Sequence, residues 1–171
     1  MITLTHQWLP RRIPDDIDVR RIYGFCFDAV GRVLLGVEGS GESNEEHHMP
    51  GGTPEPEGYD CLATLVSECR REFRVSIDRP VYLGYRKVRD EAARLTYAEL
   101  LLAARITTFH RQGPDSGRCR RLRRLLTPLN SASGRLGWGS TGLQEIAAAT
   151  AVATSVFGLD LTVPQGEVYR N

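Results

Sequence analysis

The sequence predicts a protein of the α/β class, an α/β or α+β sandwich in which helices pack on a mixed β-sheet. Two observations indicate it. Strand-like and helix-like segments alternate along a chain of 171 residues, a length that suits a single domain spanning residues 1–171. In addition, 41% of the residues are hydrophobic, which is enough to bury a core.

The N-terminal part of the chain predicts strands. We expect residues 1–20 to form an extended arm or an edge strand. Residues 22–38 contain two apolar strand-like runs around a turn at 28–32, which is the pattern of a β-hairpin. The polar stretch 39–48, which contains Gly and Ser, predicts a loop.

The clearest helix is predicted from Asp60 to about Phe73. Asp60 is a suitable N-cap because its carboxylate can accept hydrogen bonds from the first backbone N–H groups of the helix. Apolar residues recur at steps of three and four, which places them on one stripe that would face the sheet. The stripe consists of Leu62, Leu65, Val66, Cys69 and Phe73.

Further strands are predicted at 81–88 and 95–109, and the second of these is long and largely apolar. A loop at 110–121 and a short strand at 123–129 follow. The alternation of these strands with the helices supports a sheet covered by helices.

A last helix is predicted to begin at Ser140 and Thr141 and to run to Phe157. Thr141 and Gln144 have the spacing of a capping box, in which two side chains bond the free backbone N–H groups. Gly158 is well placed to end the helix.

Composition excludes several classes of protein. The formal charge of +1 gives no chain-wide basic field, so nucleic acid is not a predicted partner. Prolines and charges interrupt residues 1–21, unlike a signal peptide, and no apolar run approaches the ~18 residues of a membrane span. We therefore expect a cytoplasmic protein with no membrane partner. The cysteines form no CxxC pair and predict reduced, mostly buried thiols; they are Cys26, Cys61, Cys69 and Cys119.

The central stretch 49–75, MPGGTPEPEGYDCLATLVSECRREFRV, carries the pattern with the most chemistry. A Pro-Gly-Gly turn leads into a short acidic loop and then into the predicted helix. Glu68 and Glu72 stand four residues apart on that helix, and two carboxylates at this spacing suggest a cation site. Arg71 lies between them and brings a positive charge to the same place.

This stretch resembles the signature of the Nudix hydrolase superfamily, which reads Gly, five residues, Glu, seven residues, then Arg-Glu-aliphatic-x-Glu-Glu-x-Gly-aliphatic. The resemblance covers most of the chain, from the hairpin through the helix and two strands to the C-terminal helix. It implies a Nudix-like α/β/α sandwich with a mixed β-sheet. It also implies a loop-helix-loop that holds divalent metal against a nucleoside diphosphate linked to another group.

Aligned from the end of the helix, Glu68 and Glu72 match two glutamates of the signature and Val75 matches its final aliphatic residue. Three other positions depart from it. The departures are Ser67 for the arginine, Arg71 for the first glutamate of the Glu-Glu pair, and Arg74 for the glycine.

The loop before the helix departs as well. Counting back from Ser67 reaches Tyr59 where the signature has a glutamate, and Glu57 is the nearest carboxylate. In the family this glutamate pairs with the helix arginine, so the loss of both is coherent. The resemblance implies Gly51, Gly52 and Glu57 as substrate-binding positions.

At about 100° per residue, Glu68 and Glu72 lie roughly 40° apart on one flank of the apolar stripe, with Arg71 next to Glu68. Three arrangements are open. Arg71 forms solvated ion pairs with both glutamates, or it swings outward and one Mg²⁺ binds the two carboxylates. In the third, the guanidinium takes the place of a metal and contacts phosphate.

Five arginines at 118–124 form a local basic run. A phosphate-steering patch is one interpretation, but a solvated loop and strand edge is favoured because outward charges discourage edge pairing. No aromatic residues are interleaved with the run, so it does not predict RNA binding. The arginines are Arg118, Arg120, Arg121, Arg123 and Arg124.

The sequence leaves the general base open. His47 and His48 precede the Pro-Gly-Gly turn, and the family often draws a further carboxylate from outside its signature. Glu91, Glu99 and Asp115 are the candidates. Glu99 stands in an apolar strand, where a buried charge needs a partner, although an outward-facing, half-exposed position is the favoured interpretation.

The sequence therefore predicts a hydrolase that cleaves a diphosphate linkage in a nucleoside-diphosphate-type small molecule through metal-assisted attack of water on phosphorus. Glu68 and Glu72 would hold Mg²⁺ or Mn²⁺ as a reduced metal set, with Arg71 as the third catalytic group. The alternative is a catalytically impaired protein that binds a nucleotide-like ligand as a sensor or regulator. The identity of the substrate and the formation of a homodimer stay open.

Overall fold

The computed structural model describes residues 4–39, 44–55, 60–113 and 122–170. Within these ranges a ten-stranded sheet carries α-helices on both faces. The strands are β1 (Leu4–Leu9), β2 (Val19–Phe27), β3 (Arg32–Glu38), β4 (Glu46–His48), β5 (Gly51–Gly52), β6 (Val75–Ile77), β7 (Val81–Asp90), β8 (Leu95–Phe109), β9 (Arg123–Pro128) and β10 (Val168–Arg170). The helices are α1 (Cys61–Glu72), α2 (Leu129–Arg135) and α3 (Leu143–Ser155).

The strands pair in the order β1-β7-β8-β2-β3-β9-β10, and β4, β5 and β6 pair with β3, β2 and β8 respectively. Strands β2 and β8 are parallel, with Ile22 opposite Leu100, whereas the other neighbours are antiparallel. The sheet is therefore mixed, and the predicted α/β class is confirmed.

The two faces of the sheet carry separate cores, because successive side chains of a strand point to opposite faces. In β2, Ile22 and Cys26 pack with α1, whereas Phe25 and Phe27 pack on the face that α3 covers. Helix α3 contributes small residues to its core, Ala149 and Ala153. The result is an α/β/α arrangement in which α1 is the one described helix on its face of the sheet.

Helix α1 begins where the sequence predicts. The Asp60 carboxylate accepts hydrogen bonds from the backbone N–H groups of Leu62 and Ala63, at 3.1 and 3.0 Å. The predicted apolar stripe is wrong in one member, because Val66 is 39% exposed. Val66 lies about 100° from Leu65 around the helix, at the edge of the stripe, and the sheet covers only the centre. The fully buried members are Leu65, Cys69 and Phe73.

The predicted loop at 39–48 contains a strand. Glu46 and His47 of β4 lie opposite Glu38 and Val37 of β3. The Pro-Gly-Gly turn likewise continues into a strand, since Gly51 and Gly52 of β5 pair with β2. Both strands have three residues or fewer, and they consist of polar residues or of glycine. Neither therefore shows the apolar alternation by which strands are recognised.

The C-terminal part differs most from the prediction. The strand expected at 123–129 ends at Pro128, and α2 begins directly after it. The predicted capping box is wrong, because a 3₁₀ turn at Gly139–Gly142 precedes α3 and Thr141 Oγ1 donates to the carbonyl of Trp138 at 2.6 Å. Gly158 follows α3 with a φ of +66°, a conformation that suits glycine after a helix.

Of the five arginines at 118–124, the described ones are Arg123 and Arg124. Arg123 pairs with Glu45, at 2.6 Å between Nη2 and Oε1. Arg124 is buried and donates to backbone carbonyls of Phe73, Arg74, His110 and Arg170 at 3.0–3.3 Å. The solvated strand edge predicted here is wrong at Arg124, because β9 lies between β3 and β10. Arg118, Arg120 and Arg121 lie outside the described residues.

Two of the cysteines lie together in the core on the α1 face. Cys26 of β2 and Cys69 of α1 are both fully buried, with their sulfurs 3.7 Å apart, and both are free thiols. Cys61 is free and half-buried, and Cys119 lies outside the described residues. Among the described helices, none is both long enough and apolar enough to cross a bilayer.

Candidate functional site

Helix α1 presents two carboxylates to a cleft. Burial of Leu65 and Cys69 against the sheet fixes the rotation of the helix. Glu68 and Glu72 then emerge on the flank that faces β5, and both line a cleft of about 800 Å³. The Glu68 side chain is 15% exposed and that of Glu72 is 36% exposed, so neither carboxylate is fully solvated.

Close approach requires glycine at position 51 of β5 and favours it at position 52. A Cβ at Gly51 would lie 2.1 Å from the backbone oxygen of Ile22, and a Cβ at Gly52 would lie 2.8 Å from Cγ of Glu68. Any side chain at either position would displace the backbone of β2 or the carboxylate of Glu68. The glycines therefore allow the backbone of β5 to lie directly against the Glu68 carboxylate of α1.

Arg71 lies against both carboxylates. Its Nη2 is 2.8 and 2.6 Å from the two carboxylate oxygens of Glu68 and 3.3 Å from Oε1 of Glu72. Of the three arrangements that the sequence leaves open, the structure contains the ion-paired one. The Arg71 side chain is 57% exposed, so it can leave this position without disturbing the core.

The opposite wall of the cleft includes residues that the sequence does not single out. Arg21 and Tyr23 come from β2, Glu38 from the end of β3, and Thr53 follows β5. Arg21 Nη1 donates to Thr53 Oγ1 at 3.1 Å. These positions could have been found only from the pairing of β3 with β4 and of β2 with β5, and such short strands carry no sequence signal of their own.

His48 joins Glu38 and Glu46 in a second group of potential cation ligands at the edge of this cleft. One ligand atom from each residue lies within 4.8 Å of the others. His48 Nε2 is 3.6 Å from Glu38 Oε2 and 3.8 Å from Glu46 Oε2. The register of β3 and β4 explains the grouping, because Glu38 and Glu46 stand directly opposite each other.

The electrostatics of the cleft favour a cation at Glu72. Burial raises the pKa of the Glu72 carboxyl, the charge of Glu68 raises it further, and Arg71 counteracts both. Glu38 also raises the pKa of Glu72. Carboxylates that repel one another in a partly dry cleft are stabilised when a cation lies between them.

The donor set of the cleft fits a divalent metal. Glu68 and Glu72 supply carboxylate oxygens, the ligands that Mg²⁺ and Mn²⁺ prefer, and Glu38, which groups with Glu46 and His48, lines the same cleft. Arg71 supplies a competing positive charge to the same carboxylates. The residues therefore suit an ion that takes the place of the guanidinium.

The other residues predicted to bind substrate or to act as the general base are spread over several parts of the structure. Glu57 and Asp115 lie outside the described residues. Glu91 is an exposed residue of the turn after β7, and its carboxylate pairs with Arg89 at 3.5 Å. His47 does not line the cleft, and burial together with the charge of Arg135 lowers its pKa. Of the described general-base candidates, His48 is therefore the one that lines the cleft.

Glu99 lies on the α3 face, and the favoured prediction of an outward-facing, half-exposed position is wrong. Its side chain is 13% exposed, and Oε2 lies 3.9 Å from Arg86 Nη1. Arg86 also donates from Nε to Oε1 of buried Glu145 at 2.9 Å and stacks on the Trp138 ring, with 3.8 Å between guanidinium carbon and ring centroid. This network explains the buried charge without a catalytic role.

Comparisons with known proteins agree with this architecture. No family model and no curated protein sequence matches the chain. Among solved structures, a NUDIX hydrolase from Nitrosomonas europaea superposes with a TM-score of 0.54 at 15% identity, over 88% of this chain and 97% of that one. An ADP compounds hydrolase superposes with a TM-score of 0.54 at 10% identity, over 90% and 94%.

A pyrophosphohydrolase of Bacillus subtilis superposes with a TM-score of 0.52 at 20% identity, over 64% of this chain and 65% of that one. Identities of this size relate the backbones and leave the chemistry to the residues of each chain. The mixed sheet between α1 and α3, with α1 carrying Glu68 and Glu72 beside β5, accordingly identifies the architecture: the chain has the Nudix fold.

Proposed function

We propose that the protein is a Nudix-type hydrolase that cleaves a diphosphate linkage in a nucleotide-type small molecule. The observation that carries the proposal is the meeting of Glu68, Glu72 and the glycine backbone of β5 in one cleft. Structural similarity supports it, because a pyrophosphohydrolase and an ADP compounds hydrolase have a fold similar to that of this chain. The fold by itself carries no chemistry, so the cleft residues bear the proposal.

Within this proposal Glu68 and Glu72 hold a divalent metal, Mg²⁺ or Mn²⁺, which offsets the charge of the diphosphate. Two carboxylates suit one metal ion better than several, and this ion would take the position that the Arg71 guanidinium occupies between them. Arg71, once released, and Arg21 on the opposite wall are the cations that can bind phosphate oxygens. His48 accepts the proton of the attacking water, a role for which a histidine at the cleft is suited.

The substitution Arg71→Glu tests the proposal, because it removes the competing charge and adds a third carboxylate beside Glu68 and Glu72. We expect Mn²⁺ to bind at least tenfold more tightly by calorimetry. Hydrolysis of nucleoside-diphosphate-linked compounds, followed by release of phosphate-containing products, should rise in parallel. Arg89→Glu is the matched control, since it makes the same charge change at an exposed position that lines neither the cleft nor the concavity around α1.

A second candidate function is favoured by the contacts of Arg71 with both carboxylates. In it the protein binds a nucleotide-like ligand without turnover, as a sensor or regulator. If Arg71→Glu leaves metal affinity and hydrolysis at background while nucleotides still raise the melting temperature of the wild-type protein, the binding function replaces the hydrolase. A ligand at 100 times its Kd stabilises the folded state by about 2.7 kcal/mol, which such a melt detects.

A further inference from the structure

A second concavity lies on the outer side of α1, away from the catalytic cleft. It has a volume of about 760 Å³ and is bounded by α1 and by Arg79 and Pro80, which precede β7. Four of its ten lining residues are arginines, namely Arg70, Arg71, Arg74 and Arg79, and we call it the arginine pocket. It shares Arg71 with the cleft and no other residue.

The positive charge of this pocket is largely uncompensated. Among the described residues, Arg70, Arg74 and Arg79 form no ion pair. Arg70 Nη1 lies 2.8 Å from both Ser76 Oγ and His110 Nε2, which carry no negative charge. The chain as a whole has a formal charge of +1, so this local excess is a property of the pocket.

The acidic group that lines the pocket does not neutralise the arginines. Asp60 caps the N-terminal end of α1, and at about 1.5 Å per residue it lies about 15 Å along the helix axis from Arg70, which is in the last turn. Its carboxylate is also engaged in capping the helix. The C-terminal end of α1 adds about half a negative charge, which is small against the three guanidinium groups of Arg70, Arg74 and Arg79, and Arg71 is already paired with Glu68 and Glu72.

The floor of the pocket between these two ends is apolar. Leu62, Ala63 and Pro80 line it, together with Val66, which is 39% exposed. A ligand that fits the whole pocket therefore has a multiply charged anionic end and an apolar part. Guanidinium groups form paired hydrogen bonds with phosphate oxygens, and several of them in one concavity suit a chain of phosphates.

We propose that the arginine pocket is a binding site for an oligophosphate group, separate from the catalytic cleft. The group can come from inorganic polyphosphate or from an organic molecule that bears an oligophosphate, in which case the apolar floor holds the organic part. The site does not depend on hydrolysis in the cleft.

Titration of the full chain with inorganic tripolyphosphate, in EDTA at low salt, tests the proposal by calorimetry. Arg74→Gly combined with Arg79→Gln should weaken binding at least tenfold, because both changes remove pocket charge. The Arg74→Gly change should not harm folding, since Arg74 has a φ of +54°. Arg89→Gln is the matched control, because Arg89 is 67% exposed and lies outside the pocket, and it should alter the affinity less than twofold.

Two outcomes would overturn the site. In one, tripolyphosphate does not bind the wild-type protein. In the other, Arg21→Gln in the cleft abolishes binding and the double change in the pocket does not. If an oligoglutamate peptide binds the pocket more tightly than tripolyphosphate, the ligand of the pocket is a polycarboxylate and the oligophosphate proposal is wrong.

The same titration with a nucleoside triphosphate separates the two phosphate sources. A nucleotide that binds at least tenfold more tightly than tripolyphosphate, and loses this gain in Val66→Ser, identifies an organic ligand. Equal affinities identify inorganic polyphosphate. Because no metal is present, hydrolysis in the cleft does not contribute, so failure of the hydrolase proposal would leave these results unchanged.

Discussion

Arg74 shows how a single residue can hold a conformation that its side chain disfavours. Its φ of +54° lies in the left-handed region at the end of α1, where the Nudix signature has glycine. Arg124 donates to the carbonyls of Phe73 and Arg74 at 3.3 Å, and these bonds hold the chain in this conformation. The arginine at this position therefore strains the backbone, and Arg124 compensates for it.

The substitution Arg74→Gly should stabilise the protein. Removing the Cβ relieves about 1–2 kcal/mol of left-handed strain, and the greater freedom of glycine in the unfolded chain offsets about 0.4–1 kcal/mol of it. The free energy of unfolding, measured by urea denaturation, should rise by about 0.5 kcal/mol or more. Arg89→Gly, at a position within β7, should lower it. A loss of stability in Arg74→Gly would mean that the Arg74 side chain contributes contacts that exceed the strain.

At the scale of elements, the junction of α3 with β7 depends on one arginine. Arg86 of β7 reaches Glu145 of α3 and Glu99 of β8, and the side chains of all three residues are 13% exposed or less. Oε2 of Glu145 is buried without a hydrogen-bond partner among the described residues. Two carboxylates thus share one guanidinium, and the network depends on the presence of Arg86.

Replacement of Arg86 by methionine should destabilise the protein by about 3–5 kcal/mol, because it leaves the buried carboxylate of Glu145 and the partly buried one of Glu99 without a cation. Thermal or urea unfolding measures the loss. Adding Glu145→Gln to Arg86→Met should recover part of it, since one of the stranded charges is removed. Arg89→Met, at an exposed position of the same strand, should change the stability by less than about 0.5 kcal/mol. A similar effect of Arg86→Met and Arg89→Met would contradict the role of the network.

The long elements were accessible from the sequence and the short ones were not. Helix α1 shows a capping aspartate and a three-to-four periodicity, and β8 is an apolar run of 15 residues. By contrast, β4 consists of Glu46, His47 and His48, whose polarity is typical of a loop. Helix α2 contains Asn, Ser and Gly, and its tertiary contacts with α3, β3 and β9 specify it.

The same distinction applies to the candidate site. Glu68, Glu72 and Arg71 stand within five residues on one helix, so their proximity follows from helix geometry alone. Glu38, His48 and Arg21 reach the same cleft through strand pairing between distant segments. Such pairing requires the register of the whole sheet, which no local pattern contains.

At the scale of the whole molecule, the C-terminal segment adds the edge strand β10 to the sheet. Strand β10 pairs with β9, and Glu167 just before it accepts hydrogen bonds from Thr127 at 2.7 Å and from Arg135 Nε at 3.1 Å. These contacts join the segment to both β9 and α2. The hydrogen bond from Arg135 lowers the pKa of the Glu167 carboxyl.

Because the pKa of Glu167 is lowered in the folded protein, its contribution to stability is present above the ordinary carboxyl pKa of about 4.3. It is lost as the pH falls through the lowered, folded-state value. Glu167→Gln should therefore cost about 1 kcal/mol or less near neutral pH, since the pair is partly solvated. Urea unfolding over a range of pH should show this difference shrinking in acid. A difference independent of pH would assign the effect to packing.

Arg71 separates two concavities of opposite character, and this position couples them. An anion that draws the guanidinium toward the arginine pocket removes it from Glu68 and Glu72, and a cation that binds these carboxylates displaces it toward the pocket. Each ligand would then strengthen the binding of the other by the same factor, as thermodynamic reciprocity requires. One side chain of α1 would then make the cleft of the proposed hydrolase responsive to the phosphate content of its surroundings.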